Sequence, residues 1–367
     1  MKIALITIHR VTNYGALLQA YATKAILSKY GEVKTIDYSN PFLDKHMVKL
    51  RFNFSVHGVK MLIHDLLNLP NRIKLLAKFN TFIDTKFNLT PKLNKTELKT
   101  NKLEQFDVYV CGSDQIWNPK VVSDRGIIDK AYFLNFAKPK SVKFSYASSI
   151  GHHNFTLEEK KEVKSLLSDF DHISVRESDG VTKIKDILPQ KAIHHVVDPT
   201  LLLNKKDWLK EFNIIEEVGQ EYILVYSVPR TELLRSAIDY FSKKLKLRVV
   251  AIDKMFFSME HINEHINTAG PKDFLQLYAN ASFVITDSFH GTCFALNFHK
   301  PFVAISANER ANRQISLLKL LDIEDRLMFK KEDFHKLDLE LEYKSGLSTK
   351  LNAIREKSLQ YIEDSIR

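Results

Sequence analysis

The sequence predicts an α/β protein of two successive Rossmann-like domains facing a cleft. Three observations lead there. Short apolar runs of strand length alternate with helical stripes along most of the 367 residues, the pattern of βαβ units and parallel sheets. The runs end repeatedly in small polar residues, and open α/β sheets bind ligands at the carboxyl ends of their strands. The series also restarts: after Asp198-Pro199-Thr200 a polar crossover, 204–220, leads to a fresh apolar run at Tyr222–Tyr226. A chain this long exceeds the size at which one core keeps growing, so two domains are expected.

Met1–Ile8 has the length of a strand and lacks the longer apolar region and cleavage site of a signal peptide. The loop that follows is not GxGxxG, so it carries no dinucleotide fingerprint. Asn13, Tyr14 and Gly15 nevertheless stand where a doubly wound fold presents a ligand, unless they form only a turn. Leu18, Tyr21, Ala22, Ala25 and Ile26 have the spacing of an amphipathic helix, and Val33–Tyr38 is the second strand. Residues 41–104 are expected to be a helical insertion, with Met61–Leu67 and Ile73–Phe82 helical and Pro70 and Pro91 interrupting. Its basic character suits an acceptor or a membrane surface, and solvated helix faces explain it equally well.

Asp107–Cys111 is a strand ending in Gly112-Ser113-Asp114-Gln115-Ile116-Trp117. The glycine lets backbone approach a ligand, and Ser113, Asp114 and Gln115 supply donors and acceptors in one turn. Trp117 offers a flat face on which a sugar can stack, or else belongs to the core. Val142–Ala147, His172–Val175 and His194–Val197 are further strands, and Thr156 with Glu159 has capping-box spacing. Arg176, at a strand terminus, either clamps a carboxylate or phosphate or makes a salt bridge to Glu177 or Asp179.

The first domain spans 1–205 and the second 206–345, with a final charged helix over 346–367 packing back on the body. In the second domain Arg248–Ile252 is a strand and Pro271 opens a helix. Phe283–Ile305 then reads strand, polar turn, helix, strand. Asp287, Ser288 and His290 fall at the carboxyl end of its first strand, beside a helix N-terminus able to receive an anion. Ser288 or Thr292 can also simply cap that helix. Arg310 and Arg313 follow the next strand.

A net charge of +10 leans toward anionic partners, without a nucleic-acid motif. No apolar run approaches the ~18 residues that cross a membrane. The two cysteines, Cys111 and Cys293, have no metal-binding pattern, so no metal site is expected and a reducing cytoplasm fits best.

Five segments together resemble the polysaccharide pyruvyl transferase family. They are Asn13-Tyr14-Gly15-Ala16-Leu17-Leu18-Gln19-Ala20, Gly112–Asn118, Ser174-Val175-Arg176-Glu177, Val197-Asp198-Pro199-Thr200 and Thr286–Thr292. The resemblance implies a fold similar to B-type glycosyltransferases. It also implies transfer of pyruvyl from phosphoenolpyruvate to two sugar hydroxyls as a cyclic ketal, with release of phosphate, during cell-surface polysaccharide synthesis. No cofactor is implied beyond that donor substrate. The acceptor is a sugar or lipid-linked oligosaccharide, and the basic charge allows peripheral association with the inner face of the membrane.

By this resemblance His290 is the acid or phosphate contact and Arg176 a clamp on the anionic donor. Asp114 acts as base or orients the acceptor. Arg310 and Arg313 are further anion contacts; Ser288, Ser113 and Asn13-Tyr14-Gly15 line the substrate site. Where better-studied members carry Arg-Leu-His-Gly, this chain has Ser288-Phe289-His290-Gly291. Either another cation replaces the arginine, or the donor differs. The alternatives are a B-type glycosyltransferase using a nucleotide-sugar and a non-catalytic factor in glycan synthesis.

Overall fold

The computed structural model describes residues 1–52, 54–217, 219, 221–228, 230–255, 257–306, 311–341 and 343–367. The chain divides into two compact units. Unit 1 is Met1–Met47, Ile83–Leu202 and Asn352–Arg367; unit 2 is Val48–Phe82 and Leu203–Leu351. The basic segment read as an insertion of the first domain is thus shared, its middle clustering with the second unit.

Unit 1 begins with β1 (Lys2–Ile6), α1 (Tyr14–Leu27), β2 (Glu32–Thr35) and the short α2 (Pro41–Asp44). The chain then forms α3 (Val56–Leu67) and α4 (Leu69–Lys86), largely in unit 2. Pro70, read as an interruption, lies in the first turn of α4, where a missing N–H removes no helical bond. Unit 1 resumes with β3 (Val108–Cys111), α5 (Pro119–Val122), β4 (Val142–Ser145), α6 (Leu157–Leu167), β5 (Ile173–Val175), α7 (Ser178–Ile187) and β6 (Ile193–His195). The capping box at Thr156 and Glu159 forms as the spacing predicts.

The unit 1 sheet has the order β2-β1-β3-β4, all parallel, and single bridges at Phe144–His172 and Ser148–Val175 link it to the β5-β6 pair. β1 therefore sits between the strand that follows it and a strand reached by crossing over. That reversal opens a crevice at the carboxyl ends of β1 and β3. Its core includes Ile6, Tyr109, Trp117, Phe133 and Phe170.

Unit 2 continues with α8 (Lys205–Phe212), β7 (Tyr222–Tyr226), α9 (Glu232–Leu245), β8 (Arg248–Ile252), β9 (Glu264–Ile266), α10 (Pro271–Asn280), β10 (Phe283–Thr286), α11 (Phe289–Asn297), β11 (Phe302–Ile305), α12 (Asn312–Leu321) and β12 (Leu327–Met328). The polar crossover of 204–220 contains a helix. Asn204 and Asp207 form a capping box at the start of α8, whose Trp208 and Phe212 are buried. The six parallel strands run β12-β11-β10-β7-β8-β9, reversing between β7 and β10. β7 and β10 are buried along their whole length, as the central strands of a covered parallel sheet must be.

The last helix, α13 (Ser348–Ile366), begins in unit 2 and has its larger part in unit 1. There Tyr361 donates to the Ser145 carbonyl at 2.9 Å, and Ser358 accepts from the Val197 amide at 3.1 Å.

Candidate functional site

Each unit places sequence-predicted residues at its own switch point. In unit 1 the loop after β1 and the loop after β3 are stitched together by a residue of the first motif, Asn13–Ala20. Gln19, fully buried in α1, donates to Thr7 Oγ1 at 3.0 Å and to the Ala16 carbonyl at 2.8 Å. Its Oε1 accepts the Ser113 amide at 3.2 Å, and Thr7 donates to the Ser113 carbonyl at 3.2 Å. Ser113 itself is buried, with its hydroxyl on the Ala147 carbonyl at 2.9 Å. It shapes the turn rather than offering its hydroxyl outward.

Asn13 is exposed and caps α1 through Ala16, while Tyr14 and Gly15 are buried in the first turn. Of the three predicted binding residues in that loop, only Asn13 faces solvent. Trp117 belongs to the core: it stacks on Phe133 at 5.3 Å and donates to the Tyr132 carbonyl at 3.0 Å. Its rings are covered, so the sugar-stacking role is corrected. Gly112 likewise meets protein: a Cβ there would lie 2.1 Å from the Tyr146 carbonyl oxygen, and its φ is +120°. The peptide bond from Gly112 to Ser113 is cis.

Arg176 is buried and already surrounded by carboxylates. Nη1 meets Asp198 at 2.7 Å, Nε meets Glu177 at 3.0 Å and Nη2 lies 3.6 Å from Asp114. Burial would lower its pKa, but Glu177, Asp198 and Asp114 raise it above the usual arginine value. One cation stands among three carboxylates, so the Arg176 charge is already countered within the cluster. The salt-bridge reading therefore holds for Arg176, with Asp198 in place of Asp179 as the second partner. Asp198 also accepts from the Thr200 hydroxyl at 2.7 Å, and Ser149 donates to Glu177 at 2.6 Å. Asp114 adopts a left-handed backbone (φ 64°), and its partly exposed carboxylate is the one member of the cluster with a path to solvent.

A second, partly buried ion pair follows β1. Arg10 grips Asp37 with both ends of its guanidinium, at 2.5 and 2.6 Å, and His9 Nε2 is 3.5 Å from the same carboxylate. Burial would raise the Asp37 carboxyl, yet Arg10 and then His9 hold it well below the usual carboxylate range. Beyond β2, a cavity of about 460 Å³ opens within unit 1. In its wall Asp129 accepts from Tyr38 Oη at 2.8 Å and Asn40 Nδ2 at 3.1 Å. Phe42 and the exposed Ile127 add apolar surface, and Lys95 stands at 3.9 Å from Asp129.

In unit 2, Asp287 joins the two switch-point loops. It accepts from the Ser227 hydroxyl and the Val228 amide, each at 2.8 Å. Burial pushes its carboxyl up to about 6 despite those bonds. Ser288 caps α11, accepting from the Gly291 amide at 3.3 Å, and its own amide donates to Thr286 Oγ1 at 3.1 Å. The capping reading of Ser288 thus holds in the structure. His290 is buried in the first turn of α11 with its ring against Phe289. Arg313, on α12, lays its guanidinium over the Phe289 ring at 5.5 Å. His290 and Arg313 thus both pack on Phe289, the residue after Ser288, while Arg310 lies outside the described residues. Arg230, not singled out from the sequence, follows β7 but is held by Asp253 and the Phe257 carbonyl.

Among the described residues, no group of three or more His, Cys, Asp or Glu is placed to hold a metal ion. His261 and His265 have an HxxxH spacing. They diverge, His261 toward Asp239 at 3.4 Å and His265 toward Asp253 at 3.0 Å.

Two Rossmann-like units with these strand orders define an α/β fold similar to the B-type glycosyltransferases. Solved structures agree in fold. A Neisseria meningitidis UDP-GlcNAc 2-epimerase bound to UDP-GlcNAc aligns over 100% of this chain and 99% of its own, at 10% identity and TM-score 0.50. An S. aureus protein solved with UDP, MnaA, aligns over 99% of this chain and 96% of its own, at 11% identity and TM-score 0.51. No curated protein matches the chain by sequence. The family model for polysaccharide pyruvyl transferase matches residues 13–309, and the chain belongs to that family of transferases.

Proposed function

We propose that this transferase moves the pyruvyl group of phosphoenolpyruvate onto two hydroxyls of a sugar as a cyclic ketal, releasing phosphate. The observation that carries the proposal is the placement of His290 and Arg313 at the N-terminus of α11, at the switch point of unit 2. A helix N-terminus, a histidine and an arginine form the environment an anionic donor needs. His290 protonates the donor's methylene carbon or contacts its phosphate, and Arg313 supplies the charge that the family arginine provides elsewhere.

In the same reading the carboxylate cluster of unit 1 serves the acceptor. Asp114 takes the proton of the attacking hydroxyl or orients it, and Arg176 is a positioning residue for Asp114. The cavity beyond β2 suits a sugar unit: Phe42 and Ile127 offer apolar surface, and Asn94 and Lys95 offer hydrogen-bonding groups. The two hydroxyls add in turn to the same carbon, one bond to phosphate breaks, and the methylene becomes the methyl of the ketal.

Phosphate release is the test. The chain, phosphoenolpyruvate and a bacterial surface-glycan preparation should release one phosphate per ketal formed. His290→Ala should lower the rate by at least the ~100-fold typical of a lost general acid. Turnover unchanged in His290→Ala would overturn the assignment. One observation favours a second reading: Ser288 stands where better-studied members of the family carry an arginine. Under that reading the donor is a nucleotide-sugar, and phosphoenolpyruvate gives no turnover.

A further inference from the structure

The segment Val48–Phe82 is unlike the rest of unit 2. It holds four lysines and two arginines against a single carboxylate, Asp65, a net charge of +5. Within it, α3 is turned inside out for a helix in water. Val56, Val59, Ile63, Leu66 and Leu67 are 76, 46, 52, 51 and 65% exposed. At ~100° per residue these five fall on one arc about 100° wide. The opposite side carries buried Gly58 and Asp65. Asp65, fully buried, accepts twice from the Arg51 guanidinium, at 2.9 and 2.6 Å, and lies 3.6 Å from Arg72. Just before the helix, Phe52 and the fully exposed Phe54 meet edge to face at 5.0 Å.

Single exposed apolar residues are ordinary, but a continuous stripe with an aromatic pair beside it marks a docking face. We propose that this face docks on an anionic lipid surface, with α3 lying in the plane of the headgroups. Charge selects the occupant. Lys49, Lys60 and Lys74 are exposed in the same segment, while its one carboxylate is buried and satisfied from within. Lys78 is offset by Asp273, but the exposed charges that the segment itself adds at Lys49, Lys60 and Lys74 are all positive, the pattern of an interfacial helix on anionic lipid. A second copy is disfavoured, because a two-fold interface would set this patch against itself, cation to cation. Among the described residues no helix is long and apolar enough to cross a membrane, so the contact is a surface one.

This inference goes beyond the proposed reaction and does not depend on the donor, so its test needs neither donor nor acceptor. The full chain is floated with vesicles of phosphatidylcholine, alone or mixed with phosphatidylglycerol, and its oligomeric state is measured by light scattering. Wild type should float at least tenfold more with the anionic vesicles. Ile63→Gln/Leu66→Gln/Leu67→Gln should lose that binding tenfold or more while melting at the wild-type temperature. Lys49→Glu/Lys60→Glu/Lys74→Glu should lose it as well, and keeps the test available if the first variant misfolds. No flotation of wild type, or equal flotation on both lipids, overturns the proposal. So does a wild-type dimer that the glutamine variant dissolves without either binding vesicles.

Discussion

Asp287 is the residue on which the unit 2 site turns. It ties the loop after β7 to the start of α11, and burial holds its carboxyl near 6. An unfolded aspartate titrates near 3.9, so the folded chain binds the proton more tightly between about pH 4 and 6. Stability from this group is therefore greatest below pH 4 and falls as pH rises through about 6, by a total on the order of 2–3 kcal/mol. Asp287→Asn, which keeps an acceptor and removes the titration, should lack that component. The difference in urea stability between the two proteins should change by this amount between pH 4 and 7. A constant difference would contradict the assignment.

Other single residues show what a sequence can and cannot disclose. His290 and Asp114 stand at strand ends because the polar breaks after the apolar runs are plain in the chain. Arg176 also stands at its strand end, but its salt bridges depend on Asp198, 22 positions away. No local pattern gives that pairing. Trp117 was ambiguous for the same reason, since Phe133 and Phe170 cover it from elsewhere.

At the scale of elements, the contact of α11 with β10 sets where His290 sits. Gly291 makes that contact possible: a Cβ there would meet Thr286 Oγ1 at 2.1 Å and Tyr226 Cδ1 at 3.0 Å. Thr286 cannot move aside easily, because its hydroxyl donates to the Tyr226 carbonyl at 2.7 Å. Gly291→Ala improves helix propensity by ~1 kcal/mol, yet overpacking of this kind costs about 1–3 kcal/mol. The net should be a lower urea midpoint together with weaker donor binding. A midpoint at or above wild type would show that α11 does not seat on Thr286 as described. Strands rich in Val and Ile were legible from sequence, as were helices with a clean stripe. β9 and β12 were not, being two or three residues long with mixed composition. α8 was missed although Asn204 and Asp207 announce its start, because its turns are mostly charged.

For the whole molecule, the two strand orders make one statement: each sheet reverses at a strand pair, and three of the five motifs, at Asn13–Ala20, Gly112–Asn118 and Thr286–Thr292, follow strands of those pairs. The division of the basic segment between units was not legible, since it rests on packing across distant parts of the chain. The charge has a similar logic. Half of the net +10 resides in Val48–Phe82, where it accompanies exposed apolar side chains. What remains to be tested most directly is that the α11 site takes an anionic phosphoenolpyruvate donor. Melting temperature, measured with phosphoenolpyruvate and separately with a panel of nucleoside diphosphates on wild type and His290→Ala, does so. A ligand at ~100 times its dissociation constant adds about 2.7 kcal/mol to the native state, a visible shift. The account predicts a rise with phosphoenolpyruvate alone, lost in His290→Ala. A rise with a nucleotide alone would contradict it.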